Sequence, residues 1–270
     1  MIVYKSTDIS APVLTGADTA SVINVLRACL VDGYGTRQGA GWTMPFVNGD
    51  GTKASFKNGG SGFYLSVNGF TATAAFENMS DINTGINGFG SGQLRSYGNF
   101  VQGWILIANE RYMIFANYPN QNLPVDTGYS FGNNSQYILS FGDLTPVVRG
   151  DGFCSVFNSG LYFGQSATGH YLSRKLNGDV GNVTAKYSIP YLDTKLASTK
   201  LYSGEADLLV SRILYVDING DIRGFIEDCL VPLYKTPCPV GRQTIFDESY
   251  EAVLFSPSGG VFQLLFKVAQ

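Results

Sequence analysis

Residues 104–115 read WILIANERYMIF, two apolar and aromatic runs on either side of Asn109 and Glu110. The runs are rich in residues that favour strands, and polar residues between two such runs are typical of a hairpin. The stretch therefore predicts two antiparallel strands joined by a tight turn.

The same pattern recurs at four further places in the chain. Asn68 and Gly69 separate residues 63–67 from residues 70–76, and an Asn-Gly pair suits the positive φ angles of a hairpin turn. The remaining hairpins join residues 153–157 with 161–163, 213–218 with 221–226, and 252–255 with 261–266. We therefore predict a mainly β fold, with antiparallel, sandwich-like sheets built from hairpins. Residues 79–97 and 118–134 are rich in Gly and Asn and are predicted to be long loops.

The first 45 residues have a different pattern. Residues 3–14 are predicted to be extended, and a short helix is predicted over about residues 18–30, with Asp18 as its N-cap and Gly33 just past its end. We interpret residues 1–45 as a docking segment and residues 46–270 as a β-rich body. A division of the body into two lobes near residue 150 stays open.

The docking hypothesis names five apolar residues of the extended segment as interface residues. A segment of this kind adds as a strand to the sheet edge of a neighbouring subunit, and the alternative is that it packs on its own domain. The five residues are Val3, Tyr4, Ile9, Val13 and Leu14.

Charge is scarce in this chain, at 14% of residues, where roughly a quarter is usual. Only four ionic residues lie between residues 112 and 173. Such a stretch suits a sheet that is buried on both sides, either within one chain or under neighbouring subunits. The net charge of −3 argues against a nucleic-acid partner.

Motifs for cofactors and metals are missing from the sequence. There is no phosphate-binding glycine loop and no Cys-x-x-Cys, and His170 is the only histidine, so any histidine-dependent catalytic triad would depend on that residue alone. The longest stretch without ionic residues, 152–173, is too polar for a membrane span. We therefore predict a non-enzymatic protein with no catalytic residue, cofactor, metal or membrane span.

Two alternatives remain open. Exposed aromatic residues on the predicted loops would make the chain a carbohydrate-binding module. A glycan hydrolase would need a pair of carboxylates, for which the candidates are Glu110, Asp126, Asp143 and Asp151.

Several phrases of the sequence resemble a poorly characterised family of tailed-bacteriophage virion proteins. The resemblance spans most of the chain, and its N-terminal phrases are the most specific. These phrases are TDISAPVL at residues 7–14, ACLVDGYG at 28–35, GWTMPF at 41–46, MSDINTG at 79–85, GDIRG at 220–224 and VPLY at 231–234.

The resemblance implies a structural component of a phage particle, in the tail, baseplate or neck. Its partners would be other virion proteins and copies of itself, and it would be assembled in the bacterial host cytoplasm. For the carbohydrate-binding alternative, the partner would be a host-surface glycan and the location a tail fibre or spike.

Overall fold

A computed structural model of the protein describes residues 1–70, 72–92, 94, 96, 98–119, 137–146, 152–157, 170–174, 179–188, 198–200, 207–217, 222–232, 241–245, 248–255 and 262–268. Most of these residues are in strands, and the described part of the chain contains one α-helix, α1 (Ala20–Arg27). The strands are β1 (Ile2–Lys5), β2 (Leu14–Thr15), β3 (Thr43–Val47), β4 (Lys53–Lys57), β5 (Tyr64–Asn68), β6 (Ala72–Met79), β7 (Gly85–Gly92), β8 (Val101–Ala108), β9 (Tyr112–Tyr118), β10 (Tyr137–Asp143), β11 (Thr145–Pro146), β12 (Gly152–Phe157), β13 (His170–Arg174), β14 (Val180–Ser188), β15 (Ser198–Lys200), β16 (Asp207–Asp217), β17 (Ile222–Pro232), β18 (Gly241–Ile245), β19 (Glu248–Phe255) and β20 (Phe262–Lys267).

The described strands form two antiparallel sheets, which confirms the predicted mainly β fold. The smaller sheet has the order β3-β4-β5-β6-β7. The larger one follows the path β1-β8-β9-β10-β12-β13-β14-β16-β17-β20-β19-β18, with β2 also on β8, β11 on β17 and β15 on β16. Hydrogen-bonded pairing of β10 with β12 continues the larger sheet across residue 150, and the division into two lobes stays a prediction.

The hairpin of residues 104–115 is confirmed as β8 and β9, in which Ala108 pairs with Met113. The carboxamide oxygen of Asn109 accepts hydrogen bonds from the backbone N–H groups of Arg111 and Tyr112, at 2.9 and 3.0 Å. This side chain therefore closes the turn, as Asn commonly does. The pairs β5–β6, β16–β17 and β19–β20 confirm three more of the predicted hairpins.

The predicted partner of residues 153–157, residues 161–163, lies outside the described residues. The strands that flank β12 are β10 and β13.

The predicted loop over residues 79–97 is wrong in its middle, because residues 85–92 form β7 and pair with β6. Glycine-rich sequence normally disfavours strands. Here the ring of Phe76 lies against Gly85, at a place where any β-carbon would collide with it, so close packing favours glycine within this strand. Most of the other predicted loop, 118–134, lies outside the described residues.

The helix is shorter than predicted, and a π-helical turn, Ala28–Asp32, continues it. The N-cap residue is Thr19, whose side chain makes no capping hydrogen bond, so the prediction of Asp18 as the N-cap is wrong by one residue. The Asp18 carboxylate accepts a hydrogen bond from the N–H of Ala20 at 2.9 Å. Gly33 has a φ of 82°, which fits its predicted place just past the helical segment.

The segment 3–14 is not extended throughout. It contains β1 and the first residue of β2, and turns lie between them, with backbone hydrogen bonds from Asp8 to Lys5 and from Ala11 to Asp8.

Strands β8, β9 and β10 form the middle layer of the molecule, and both of their faces are buried. Trp104, Phe115 and other residues of one face join a core with α1 and the sheet β3–β7. Ile105 and Ile107 on the opposite face join a second core that includes Leu264 of β20. Within the charge-poor stretch, strands β9 and β10 are therefore covered on both sides by residues of the same chain.

Candidate functional site

The five predicted interface residues fall into two groups. Val3, Tyr4 and Leu14 are buried, whereas Ile9 is 90% exposed and Val13 is 60% exposed. Only the second group is available to another molecule in this conformation.

The buried group lies inside because β1 and β2 both pair with β8 of their own chain. Val3 is in the core between the middle layer and the C-terminal strands, and Tyr4 is in the core on the other face. The Tyr4 hydroxyl also donates to the backbone carbonyl of Gln38 at 2.7 Å. In this conformation Val3, Tyr4 and Leu14 therefore hold the N-terminal strands to their own sheet, which is the alternative to strand addition, and their role in an interface stays a prediction.

A partly buried carboxylate, that of Asp8, organises the turn between the two strands. Asp8 accepts hydrogen bonds from the Tyr34 hydroxyl at 2.9 Å and the Lys5 backbone N–H at 3.0 Å. Arg37 forms an ion pair with it at 3.3 Å. The turn is thus tied to the segment after α1, and Ile9 projects outward from it.

Two further exposed apolar residues, which sequence reasoning missed, lie at the start of β8, the strand that pairs with β2. Phe100 is 71% exposed and Val101 is 39% exposed. Leu14 pairs with Gln102 and Thr15 with Val101, so Val13 and Phe100 lie at opposite ends of this short strand pair. We call Ile9, Val13, Phe100 and Val101 the N-terminal apolar patch. The sequence signal for Phe100, a lone aromatic after Gly98 and Asn99, was too weak to separate it from core aromatics.

A second cluster of polar side chains joins the smaller sheet to the middle layer. The buried carboxylate of Asp143, at the end of β10, accepts hydrogen bonds from Asn58 Nδ2 at 2.7 Å and from the backbone N–H and hydroxyl of Ser61. Arg111, on the β8–β9 turn, lies 3.8 Å from it. Since these donors come from loops far apart in sequence, Asp143 acts as a cross-link between layers.

Arg111 extends this cluster to the C-terminal strands. Its guanidinium pairs with Glu227 of β17 at 3.0 Å, and the Thr145 hydroxyl donates to the same carboxylate at 3.1 Å. The carboxylate of Asp143 is occupied by these structural donors. Of the other hydrolase candidates, Glu110 is exposed on the β8–β9 turn, and Asp126 and Asp151 lie outside the described residues.

The buried thiols and phenols of the core are held in their neutral forms. Burial raises the pKa of Cys29 and of Cys229, and it likewise raises the pKa of Tyr4, Tyr34 and Tyr112. A thiol with a raised pKa forms little of the nucleophilic thiolate. Cys29 and Cys229 therefore behave as packed apolar groups.

The histidine and the possible metal ligands complete the search for reactive groups. His170 begins β13, where its backbone pairs with that of Ser155. Within the described ranges, no three His, Cys, Asp or Glu side chains come together as a metal site. No helix in the described part of the chain has the length and apolar character needed to cross a membrane.

Comparison with known proteins yields no relative from which to transfer a function, because no protein-family model and no curated protein matches this chain.

Proposed function

We propose that the protein is a non-enzymatic structural component of a tailed-phage particle, in the tail, baseplate or neck, which assembles through contacts with other virion proteins and with copies of itself. It reaches the virion by assembly in the host cytoplasm. The sequence resemblance supports the class of protein, and the N-terminal apolar patch supports assembly as the activity.

The patch carries the proposal because its four apolar residues are exposed around the N-terminal strands. Ile9, Val13 and Phe100 are each more than half exposed, and Val13 and Phe100 lie at the two ends of the β2–β8 strand pair. Aromatic residues are enriched in the cores of interfaces, and Phe100 is the large aromatic residue among them. The patch therefore suits a protein partner.

The test replaces Val13 and Phe100 together by Asp and measures incorporation of the chain into particles, in competition with the wild-type chain. We expect incorporation to fall by about tenfold or more, because burying a carboxylate in an apolar contact is costly. Val47→Asp is the matched control, since Val47 is also an exposed apolar residue but lies on β3. Undiminished incorporation of the double variant, with its melting temperature intact, would refute the role of the patch.

The second candidate function is a carbohydrate-binding module of a tail fibre or spike. The observation that favours it is a group of aromatic side chains on the smaller sheet, where the partly exposed Phe46 and Phe76 neighbour the buried Tyr64. Phe89, the described aromatic residue of the predicted loop 79–97, is buried instead. A glycan hydrolase is the weaker alternative, and release of sugar from host envelope material tests it.

A further inference from the structure

Six asparagines in the sequence are followed directly by glycine. An asparagine in this position is chemically vulnerable, because glycine has no β-carbon to hinder the approach of its own backbone nitrogen to the side-chain amide. The six are Asn48, Asn58, Asn68, Asn87, Asn177 and Asn219, and the structure describes the first four.

The reaction is a deamidation that needs only water. The glycine nitrogen, after losing its proton to hydroxide, forms a bond to Cγ of the asparagine. The bond from Cγ to Nδ2 breaks, and the amide group takes a proton from water and leaves as ammonia. Water then opens the resulting cyclic imide at either of its two carbonyl groups, which gives aspartate or isoaspartate, the latter with the main chain running through Cγ.

The fold decides which glycine nitrogens are free to react. The N–H of Gly69 donates to the carbonyl of Thr52 at 2.8 Å, and the N–H of Gly59 donates to the carbonyl of Glu110 at 2.7 Å. An N–H group held in this way resists losing its proton, because the hydrogen bond would be lost with it. Both of these Asn-Gly pairs are therefore protected in the folded chain.

Asn58 is protected a second time by its own side chain. Only 3% of the residue is exposed, and its Nδ2 donates to the carbonyl of Arg111 at 3.0 Å and to the carboxylate of Asp143 at 2.7 Å. The reaction of Asn58 therefore requires a local opening of the structure.

Asn48, in the turn between β3 and β4, lacks this protection. Gly49 is exposed, and no described residue accepts a hydrogen bond from its N–H. Apart from its chain neighbours, no described atom lies within 4 Å of the place where a β-carbon of Gly49 would be. Hydroxide therefore has access to this nitrogen.

The amide of Asn48 is also polarised for the attack. The backbone N–H of Lys53 donates to its Oδ1 at 2.7 Å, and negative charge develops on this oxygen when the nitrogen adds to Cγ. Asn58 has an equivalent hydrogen bond, from the N–H of Gly62 at 2.7 Å. The two asparagines thus differ in burial and in the availability of the attacking nitrogen, and not in the polarisation of the amide.

Asn87 is exposed but restrained. Its Nδ2 donates to the Glu77 carboxylate at 3.0 Å, and Gly88 pairs with Phe76 in the ladder between β6 and β7. Strand pairing opposes the bending of the chain that closure of the imide ring requires.

We propose that Asn48 is a site of spontaneous modification, which deamidates first among the four described Asn-Gly pairs and does so through a cyclic imide with the nitrogen of Gly49. The reaction adds one negative charge to a turn that already carries the carboxylate of Asp50.

The modification loosens the hairpin of β3 and β4. In the unmodified chain the N–H of Asn48 donates to the carbonyl of Lys53 at 2.9 Å, and its Nδ2 donates to the hydroxyl of Thr52 at 3.1 Å. The product has a carboxylate in place of the NH2 donor, and isoaspartate also inserts a further carbon into the backbone of the turn. Since β3 ends its sheet among the described strands, β3 is the strand that this change releases.

The experiment incubates the folded chain, and the same chain unfolded in guanidinium, at mildly alkaline pH in water enriched in heavy oxygen. Peptide mass spectrometry follows each Asn-Gly pair, and the unfolded chain gives the rate that the local sequence alone sets. We expect Asn48 to react in the folded chain at close to its unfolded rate. Asn58 should be slowed by at least about tenfold, which corresponds to an opening free energy of about 1.4 kcal/mol.

The matched control is the variant Gly49→Ala. A β-carbon fits at this position, because the surrounding space is open and the φ angle of Gly49 lies outside the left-handed region, but it hinders the attacking nitrogen. We expect conversion of Asn48 to fall by about tenfold, a rise of about 1.4 kcal/mol in the barrier, with the melting temperature unchanged.

Two results would overturn the proposal. Conversion of Asn58, Asn68 or Asn87 as fast as that of Asn48 in the folded chain would show that the fold does not select the site. Undiminished conversion of Asn48 in Gly49→Ala would show that water hydrolyses the side-chain amide directly, without the imide.

Discussion

At the scale of single residues, Asp143 is the clearest case of one side chain that several distant segments depend on. Its buried carboxylate accepts hydrogen bonds from Asn58 and Ser61 and lies near Arg111. Buried polar groups must be hydrogen-bonded to be tolerated, so the donors around Asp143 need a carboxylate at this position. The residue therefore matters for stability more than its place near the end of a strand suggests.

Replacing Asp143 by Asn tests this role. The Asn amide has nearly the same shape as the carboxylate, but its NH2 group would face the N–H donors of Asn58 and Ser61. We therefore expect the free energy of unfolding to fall by about 2 kcal/mol. Urea denaturation measures it. The control is Asp50→Asn, because Asp50 accepts its hydrogen bonds from Thr52 in an exposed turn. Equal losses in the two variants would contradict the cross-linking role of Asp143.

Because of its buried thiols and phenols, we expect the folded protein to be less stable at alkaline pH. The pKa values of Cys29 and Cys229 are raised in the folded protein, above the ordinary 9.0 for a thiol, and those of Tyr4, Tyr34 and Tyr112 above the ordinary 10.0. The unfolded chain therefore loses these protons at lower pH than the folded protein. The stabilisation from their neutral forms is complete below about pH 9 and is lost as the pH rises beyond it.

Unfolding free energies measured at a series of alkaline pH values check this prediction. We expect a steady fall above about pH 9, and a smaller fall near the thiol range when Cys29 and Cys229 are both changed to Ala. A stability that does not change with pH over this range would show that burial does not hold these groups neutral.

At the scale of elements, α1 shows how a short helix is stabilised by its surroundings. A helix of 8 residues is too short to be stable alone. Val22, Val25 and Leu26 are fully buried in the core shared with the smaller sheet. The hydrophobic side of the helix therefore supplies most of the energy that keeps it folded.

The variant Leu26→Ala tests this dependence. We expect unfolding to be easier by about 3 kcal/mol, since a fully buried leucine is truncated in a packed core. Asn24→Ala, on the exposed side of the same helix, should change the stability by less than about 0.5 kcal/mol. The midpoint of chemical denaturation distinguishes the two, and a small effect of Leu26→Ala would mean that the core collapses readily around the gap.

At the scale of the whole molecule, the middle layer is the part on which the other described elements pack. Strands β8, β9 and β10 contribute side chains to both cores. The N-terminal strands, the helix and the smaller sheet pack on or beside them, and the C-terminal strands cover the other face. Apolar surface available for partners is consequently at the periphery, as in the N-terminal apolar patch.

Amide hydrogen exchange tests this arrangement. Backbone groups of β8 and β9 have neighbours on both sides and no exposed face, so we expect them to exchange slowest, by global unfolding only. Amides of β3 and β18, which end their sheets among the described strands, should exchange faster. Faster exchange in β9 than in β3 would contradict a middle layer that is buried on both sides.

Much of the local structure was predictable from the sequence because hairpins are encoded by neighbouring residues. The run WILIANERYMIF contains both strands of β8–β9 and the Asn109 side chain that closes their turn. Gly33 likewise marks the end of the helical segment through its positive φ, whereas the start of the helix lies one residue beyond the predicted one, at Thr19 instead of Asp18. The glycine-rich β7 could not be predicted this way, since the ring that packs on Gly85 belongs to a different strand.

The sequence by itself thus determined the fold class, the hairpins and the scarcity of charge that a sheet buried on both sides requires. Only the tertiary structure decided which apolar residues are inside. Val3 and Val13 look alike in the sequence, yet pairing with β8 buries Val3 and leaves Val13 exposed. The physical reason is that burial depends on contacts between segments far apart in the chain, and no pattern within a single segment records which distant face will cover it.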